Sequence, residues 1–327
     1  MLSNPPVICD TPIKIGRTTI NVEIAKLHTR TKIEIPIIVE RAKKPGPVLL
    51  ITAGIHGDEV NGVEIVRQLI TKKYNKPTSG TIICIPVVNV FGFINQTRVF
   101  PDGRDLNRCF PGSKKGSLAN RFAHFLMTEI VPHIDYCIDY HTGAAGRFNY
   151  SQVRYNGDNT ECEELATIFG AKFQIRSSLR SNSFRQAASD VGKTVLMFEG
   201  GKALNLDKMV TKSGIDGALR VMNALKLRDF SAEIEKMKVP EAPIVITQSA
   251  WIRAKYSGLY RTYKSNGDKV KKGDKLGTIS DPYGDFERTV KAPNDGYIIC
   301  SNHSPIVNQG DALMHISKTY VDQTSES

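Results

Sequence analysis

The feature that most constrains the fold is a repeated alternation of short apolar strands with amphipathic helices. Residues 47–54 (PVLLITAG) form a continuous apolar run ending in glycine, typical of a buried parallel strand. Residues 58–74 then carry apolar side chains at helical spacing. The cycle recurs through strands predicted at 81–90, 136–140, 172–175 and 194–199 and helices predicted at 117–130, 161–169 and 206–227. This alternation predicts an α/β fold in which helices flank a mixed, mostly parallel sheet.

The pattern changes after Leu227, so a chain of 327 residues is expected to hold two domains. Residues 228–243 are charged, contain two prolines and are predicted to be a linker. Short β runs punctuated by glycine follow, without a helical period. We therefore predict a larger domain at 1–240, a small all-β barrel-sandwich-like module at 241–318 and a polar tail at 319–327.

The charge balance bears on the choice of partner. The chain has 44 Lys and Arg against 33 Asp and Glu, a net charge of +11. The excess is dispersed in pairs and triplets, without an arginine-rich tail, so we expect no nucleic-acid partner. A diffuse positive field equally suits a small anionic substrate.

Location and assembly are expectations of the same kind. The chain has no apolar run long enough to span a bilayer, its start lacks the pattern of a secretory signal, and its six cysteines lack paired spacing. These features predict a cytoplasmic protein with no membrane partner, and a homo-oligomer is possible.

Polar residues follow two of the predicted strands. His56 and Glu59 come directly after the strand at 47–54, and His141 ends the strand at 136–140. Alone, the first pair is more often a helix-start carboxylate beside a loop histidine, and His141 could be a core histidine. Together, two histidines and one carboxylate at strand ends are the ligand set of a catalytic zinc site with an open position.

A third strand end supplies a candidate base. Glu199 ends the strand at 194–199 and is followed by two glycines that leave space beside it. The alternative role for Glu199 is to cap the following helix. Its position on the same predicted sheet edge as the two histidines favours a general base that takes a proton from water activated by zinc.

The loop at 98–112 is rich in proline and glycine yet holds Arg98, Arg104, Asn107 and Arg108. Solvated arginines are the default in such a loop. Beside a metal, however, the guanidinium fork pairs well with a substrate carboxylate. A ligating histidine also needs a carboxylate on its other nitrogen, and Asp105 is a candidate.

Four motifs in this order, GIHGDE, DLNRCFPG, DYHTG and FEGG, resemble those of the succinylglutamate desuccinylase/aspartoacylase family. This family is a branch of the zinc-carboxypeptidase-like hydrolases, and the resemblance covers roughly residues 45–320. It implies the zinc-carboxypeptidase-like fold. It also implies one Zn²⁺ held by His56, Glu59 and His141, with Glu199 as the general base. Asn107 and Arg108 would bind a substrate carboxylate, and Asp105 would orient His56.

The resemblance further implies an arginine that polarises the scissile carbonyl, for which we prefer Arg98 over Arg104 because Arg104 adjoins Asp105. The implied activity is zinc-dependent hydrolysis of the amide bond of a small, carboxylate-bearing N-acyl amino acid. A zinc carboxypeptidase acting on peptides is the alternative. The acyl group and the anchor for a second carboxylate stay open, the candidates for the anchor being Arg147, Arg154, Arg176, Arg180 and Arg185.

Overall fold

The structure is a computed structural model that describes residues 6–237 and 242–322. Five strands begin the described chain, and strands and helices are interspersed from α1 onwards in its first part. The strands are β1 (Val7–Ile8), β2 (Thr11–Pro12), β3 (Gly16–Lys26), β4 (Lys32–Arg41), β5 (Lys44–Ala53), β6 (Ser79–Ile85), β7 (Tyr136–Gly143), β8 (Arg147–Tyr155), β9 (Phe173–Arg176) and β10 (Thr194–Lys202). The helices are α1 (Val60–Thr71), α2 (Val90–Asn95), α3 (Leu118–Phe125), α4 (Thr160–Phe169), α5 (Phe184–Asp190), α6 (Lys208–Ala224) and α7 (Ser231–Glu235).

The last part, residues 242–322, contains strands and no helix among its described residues. These strands are β11 (Ile244–Arg253), β12 (Gly258–Thr262), β13 (Lys269–Val270), β14 (Lys275–Ser280), β15 (Glu287–Lys291), β16 (Gly296–Asn302), β17 (Ile306–Val307) and β18 (Ala312–Asp322). Short helical turns complete the first part: two 3₁₀ turns at Leu106–Arg108 and Val131–His133 and a π-helical segment at Leu126–Ile130.

Some local predictions need correction. The strand predicted at 81–90 ends at Ile85, and Val90 begins a helix because the Asn89 side chain accepts a hydrogen bond from the Gly92 backbone and caps it. Strand β8 was not predicted at all. The linker at 228–243 contains α7, and the boundary at 240/241 lies outside the described residues. Four residues of the predicted tail belong to β18, while 323–327 lie outside the description.

Twelve of the described strands form one sheet, in the order β13-β16-β18-β11-β9-β8-β10-β7-β5-β6-β4-β3. From β11 to β6 neighbouring strands run parallel, except that β8 and β10 are antiparallel. The pairs outside this stretch are antiparallel. The sheet is therefore mixed and less parallel than predicted, and its parallel centre carries the strands whose ends hold the candidate site.

The alternation of side chains along each central strand produces two apolar layers. On β5, Leu49 and Ile51 pack in a core with α1, α4 and α6, whereas Leu50 packs with α3 and α5 on the opposite face. Helices therefore cover both faces of the parallel strands. In the part of the chain that the structure describes, no helix is both long and apolar enough to cross a membrane.

The C-terminal strands extend the same sheet. Strand β11 pairs in parallel with β9, and β16 pairs antiparallel with β8 as well as with β18. A second sheet of four strands, β15-β14-β12-β17, packs on this extension through buried residues such as Leu276 and Ile298. The all-β part is thus two-layered. One layer, formed by β16, β18 and β11, continues the central sheet and places side chains of the C-terminal part next to it.

Tyr140 on β7 packs beneath the candidate site. It is fully buried, its hydroxyl donates to the Gly214 carbonyl of α6 at 2.9 Å, and its ring contacts Phe198 of β10. Helix α1 approaches the same strand at Gly62, where a Cβ would lie 2.8 Å from the Tyr140 Cβ. The close approach of α1 to β7 therefore depends on glycine at this position.

We predict that Gly62→Val lowers the free energy of unfolding by about 1–3 kcal/mol, because the added atoms overlap the Tyr140 Cβ and carbonyl, which cannot rotate away. Urea denaturation measures this change. The matched control is Arg67→Ala on the exposed face of the same helix, which removes a surface pair with Glu64 and should change stability by less than about 0.5 kcal/mol. Equal stability of Gly62→Val and the wild type would contradict the tight packing.

Candidate metal centre and active-site cavity

His56, Glu59 and His141 converge at one edge of the sheet. His56 lies in the loop after β5, Glu59 is the residue that precedes α1, and His141 lies near the end of β7. Because β5 and β7 are parallel neighbours, their carboxyl ends meet at the same edge. One ligand atom from each of the three side chains lies within 4.8 Å of the others, and all three residues are buried.

Both imidazole rings turn the same nitrogen towards Glu59. His56 Nδ1 is 2.8 Å from Glu59 Oε1, and His141 Nδ1 is 2.9 Å from Glu59 Oε2. The opposite nitrogens meet carboxylates: His56 Nε2 lies 3.1 Å from Asp105 Oδ1, and His141 Nε2 lies 2.8 Å from Asp139 Oδ2. A carboxylate on Nε2 fixes the proton there and leaves the Nδ1 lone pair free to bind a metal.

The environment of the three residues fits a divalent cation. His56 Nδ1 is buried and has no hydrogen-bond partner, although Glu59 Oε1 is only 2.8 Å away. Three lone-pair donors thus face one small space. Despite burial, which disfavours charge, Asp139 and Glu59 hold the pKa of His141 well above its usual value, and the two histidines hold the pKa of Glu59 below its own. The carboxylates around the two histidines therefore favour a positive charge at this position, and a bound metal ion would supply that charge in place of protons.

Asp139 is the contact of this centre that the sequence analysis missed. It is fully buried, and its second oxygen accepts a hydrogen bond from Thr52 at 2.9 Å. The signal was present in the motif, because residues two apart on a strand point to the same face and Asp139 precedes His141 by two. Its carboxylate orients His141 in the same way as Asp105 contacts His56.

Arg98 joins the two carboxylates on the His56 side of the site. Its Nη1 donates to Glu59 at 3.0 Å, and its Nη2 donates to Asp105 Oδ2 at 2.9 Å. Arg104 lies outside this network: its side chain is 53% exposed and pairs with Asp102. Of the two arginines that the sequence left as alternatives, the structure brings Arg98 to the metal ligands and leaves Arg104 at the surface.

Glu199 lies beside His141 on the neighbouring strand. The two residues are direct partners in the parallel register of β7 and β10, so their side chains leave the sheet on the same face. Glu199 Oε2 accepts a hydrogen bond from Asn149 Nδ2 at 2.6 Å, while its Oε1 is 3.9 Å from Arg154 Nε. One oxygen of the carboxylate is thus fixed by a hydrogen bond, the other lies near a guanidinium group, and the residue lines the cavity.

Asn107 and Arg108 lie on the 3₁₀ turn after Asp105. Asn107 is buried, and its Oδ1 accepts a hydrogen bond from the Phe184 backbone at 2.8 Å, which leaves its Nδ2 as a donor. The Arg108 side chain donates to the Asn107 carbonyl. Both residues line the same cavity as the metal cluster.

This cavity has a volume of about 530 Å³ and is lined by every residue of the predicted site except Asp105. Asp105 contacts the Nε2 atom of His56 instead. Three C-terminal residues, Trp251, Cys300 and His315, form part of its wall. Of the five arginines that could anchor a second carboxylate, four line the cavity and Arg176 does not; the four are Arg147, Arg154, Arg180 and Arg185. A larger cavity of about 720 Å³ between α1 and α6 contains none of these side chains and no metal ligand.

The stacked pair of Trp251 and His315 was not foreseen as part of the site. Their ring centroids are 4.6 Å apart at an angle of 12°, and the Arg147 guanidinium lies 5.9 Å from the Trp251 ring. Burial lowers the pKa of His315 to about 3, so this ring is neutral at physiological pH. No local pattern marks these residues, because their strands, β11 and β18, reach the cavity through long-range pairings of β11 with β9 and of β16 with β8.

Comparison with known proteins identifies the relatives of this chain. A curated relative, the N-alpha-acetyl-L-2,4-diaminobutyric acid deacetylase of Halomonas elongata, is 27% identical over 303 residues, which cover 87% of this chain and 85% of the relative.

Solved structures share the fold. A succinylglutamate desuccinylase/aspartoacylase from Rhodobacter sphaeroides superposes with a TM-score of 0.79 at 23% identity, covering 93% of this chain and 97% of that one. The product-bound ectoine utilization protein EutE (DoeB) from Ruegeria pomeroyi has a TM-score of 0.83 at 19% identity, covering 98% of this chain and 100% of that one.

Residues 45–225, more than half of the chain, match the profile described as the succinylglutamate desuccinylase/aspartoacylase catalytic domain. The matched range includes the histidines and carboxylates of the candidate metal centre together with Glu199. The chain therefore belongs to the succinylglutamate desuccinylase/aspartoacylase family of hydrolases.

Proposed function

We propose that the chain is a zinc-dependent hydrolase that cleaves the amide bond of a small, carboxylate-bearing N-acyl amino acid. The observation that carries this proposal is the buried cluster of His56, Glu59 and His141 with Glu199 beside it in an arginine-lined cavity. The Halomonas elongata relative is a deacetylase of an N-acetylated amino acid, which supports the same class of bond.

The two histidine Nδ1 atoms and the Glu59 carboxylate would hold one Zn²⁺, because two nitrogens and a carboxylate form a typical catalytic zinc set. Zinc in this position supplies Lewis acidity, which lowers the pKa of a water molecule to ~7 and polarises the scissile carbonyl. Asp139 and Asp105 keep the protons on the Nε2 atoms, so that both Nδ1 lone pairs stay available.

Glu199 acts as the general base and then as the general acid. Its Oε1 faces the cavity, takes a proton from the attacking water and passes it to the leaving amine nitrogen as the C–N bond breaks. The hydrogen bond from Asn149 to Oε2 fixes the carboxylate in this direction. The register of β10 against β7 keeps it beside His141 throughout.

Three residues of the loop at 98–112 handle substrate charge. Arg98 stabilises the negative charge that develops on the carbonyl oxygen, because its guanidinium lies against Glu59 at the cavity wall. Arg108 and the Nδ2 group of Asn107 bind the carboxylate of the amino acid. The net positive charge of the chain suits a small anionic N-acyl substrate, so a nucleic-acid partner is not needed to explain that charge.

A zinc carboxypeptidase acting on peptides is the alternative. A peptidase needs an open groove for an extended chain, whereas here Trp251, Cys300 and His315 wall the cavity from the C-terminal side. A volume of about 530 Å³ suits a single acylated amino acid. The closed wall therefore favours small amides over peptides.

We predict that the purified wild type and Glu199→Gln each contain one zinc ion, whereas Glu199→Gln loses about 10²–10⁴-fold in kcat, because the base is lost and the ligands are not. Metal analysis and amine release from a panel of N-acyl amino acids and short peptides measure the two effects. The control is Glu64→Gln on α1, which lines the larger cavity and not the active-site cavity, and it should keep wild-type activity.

The panel separates the candidate functions. A wild type without stoichiometric metal would overturn the zinc centre. Turnover of peptides in preference to N-acyl amino acids would favour the carboxypeptidase. Full activity in Glu199→Gln would exclude Glu199 as the base.

We also predict that Asp139→Asn weakens zinc binding by about 10–100-fold, because His141 loses the negative partner that fixes its proton on Nε2. Competition with a chromophoric chelator measures the affinity. Asp102→Asn, which alters only a surface pair with Arg104, is the control. An affinity within twofold of the wild type would show that Asp139 does not support the ligand.

A further inference from the structure

An apolar ridge projects from the surface where α6 begins. It consists of Leu204 and Leu206, in the loop after β10, and Met209, in the first turn of α6. Their side chains are 56%, 61% and 75% exposed. Single exposed apolar residues are ordinary on a soluble protein, whereas a contiguous group of them commonly marks an interface.

The loop that carries the ridge is held in place by the start of α1. The backbone amide of Leu204 donates to the Asp58 carbonyl at 2.8 Å, and that of Asp207 donates to Asn61 Oδ1 at 2.8 Å. Leu204 has a φ of +50°, a conformation that costs a leucine free energy. Because the ridge is already fixed in the single chain, a partner that binds it does not have to order it.

The larger cavity, of about 720 Å³, forms a groove beside the ridge, between α1, α6 and α7. Its lining includes Ile215 and Leu219, which belong to the core on this face of the sheet, and the partly buried Tyr74 and Met237. Leu206 lines the groove as well as forming part of the ridge. One face of the chain therefore presents an apolar projection and a partly apolar depression next to each other.

The charge of this face favours a second copy of the chain as its partner. A net charge of +11 disfavours the approach of two copies in general. Among the described residues, however, the groove is lined by four lysines and four acidic side chains, so its own net charge is zero. An acidic partner would instead be attracted to a positive region such as the active-site cavity with its six arginines.

We propose that this face is the interface of a homodimer, in which the ridge of each copy inserts into the groove of the other. A twofold axis brings the same face of both chains together, so that face must be complementary to itself. A ridge beside a groove meets this requirement, because one axis then forms two identical contacts. The balanced charges of the groove allow the two faces to approach without net repulsion. The dimer goes beyond the proposed amide hydrolysis and does not depend on it.

Sedimentation velocity of the full-length chain over a range of concentrations measures the dissociation constant of the dimer. Met209→Glu should raise this constant by about 100-fold or more, because a charge replaces an apolar side chain at the contact. Met209→Leu keeps the side chain apolar and should keep the dimer. The matched control is Ile306→Glu, which places the same charge at a 70% exposed position of the C-terminal part and should leave the dimer unchanged.

A complementation experiment tests the pairing of ridge with groove. Lys212 is an exposed residue that lines the groove, so Lys212→Trp should fill the groove and also prevent dimerisation. When Met209→Glu and Lys212→Trp are mixed, one of the two contacts joins an intact ridge to an intact groove. The mixed dimer should therefore form at least about 10-fold more tightly than the dimer of either variant alone. Fluorescence-detected sedimentation of labelled Met209→Glu, titrated with Lys212→Trp, measures this gain.

The substituted side chains are all exposed, and an unchanged circular-dichroism spectrum shows that each variant is folded. A wild type that is monomeric at about 100 μM would overturn the proposal, even if another protein bound this face. A dimer that persists in both Met209→Glu and Lys212→Trp would overturn it as well, and a mixture no tighter than either variant would refute the insertion of ridge into groove. Amide hydrolysis by a monomeric wild type would support the proposed function alone, whereas a dimer without hydrolysis would support the interface alone.

Discussion

The site depends on one interaction, the burial of the Glu59 carboxylate between two histidine rings. A buried carboxylate is stable only when it is paired and hydrogen-bonded. Here each oxygen meets one imidazole Nδ1, the backbone of Thr142 donates to Oε2 at 3.0 Å, and Arg98 donates to Oε1. The same arrangement points three ligand atoms at one space, so the electrostatics that allow Glu59 to be buried are those that would capture a divalent cation.

The pairing of the central strands brings Glu59 and the two histidines together. Parallel pairing of β5, β7 and β10 brings their carboxyl ends to one edge, and the glycine at Gly62 allows helix α1 to pack closely against Tyr140. The C-terminal strands extend the sheet beyond β9, β16 also pairs with β8, and residues of these strands form part of the cavity wall. Part of the net charge of +11 is concentrated in this cavity, which is lined by six arginines: Arg98, Arg108, Arg147, Arg154, Arg180 and Arg185.

Sequence reasoning reached the residues that follow a strand in an obvious pattern. His56, Glu59, His141 and Glu199 each stand where an apolar run stops, and the structure brings them to one edge. It did not reach Asp139, which stands inside a strand and reads as an interior position, nor Trp251 and His315, whose strands join the sheet from a distant part of the chain. It chose Arg98 over Arg104 only because Arg104 adjoins Asp105, since a loop that contains both arginines can turn either one inward.

The sequence by itself determined the alternation of strands and helices, the order of the motifs and the chemistry of the donor set, because these depend on local periodicity and residue type. The tertiary structure alone decided which arginine contacts Glu59 and which C-terminal residues close the cavity. These outcomes depend on strand register and on contacts between residues far apart in the chain. Long-range pairing fixes them, and no local pattern encodes it.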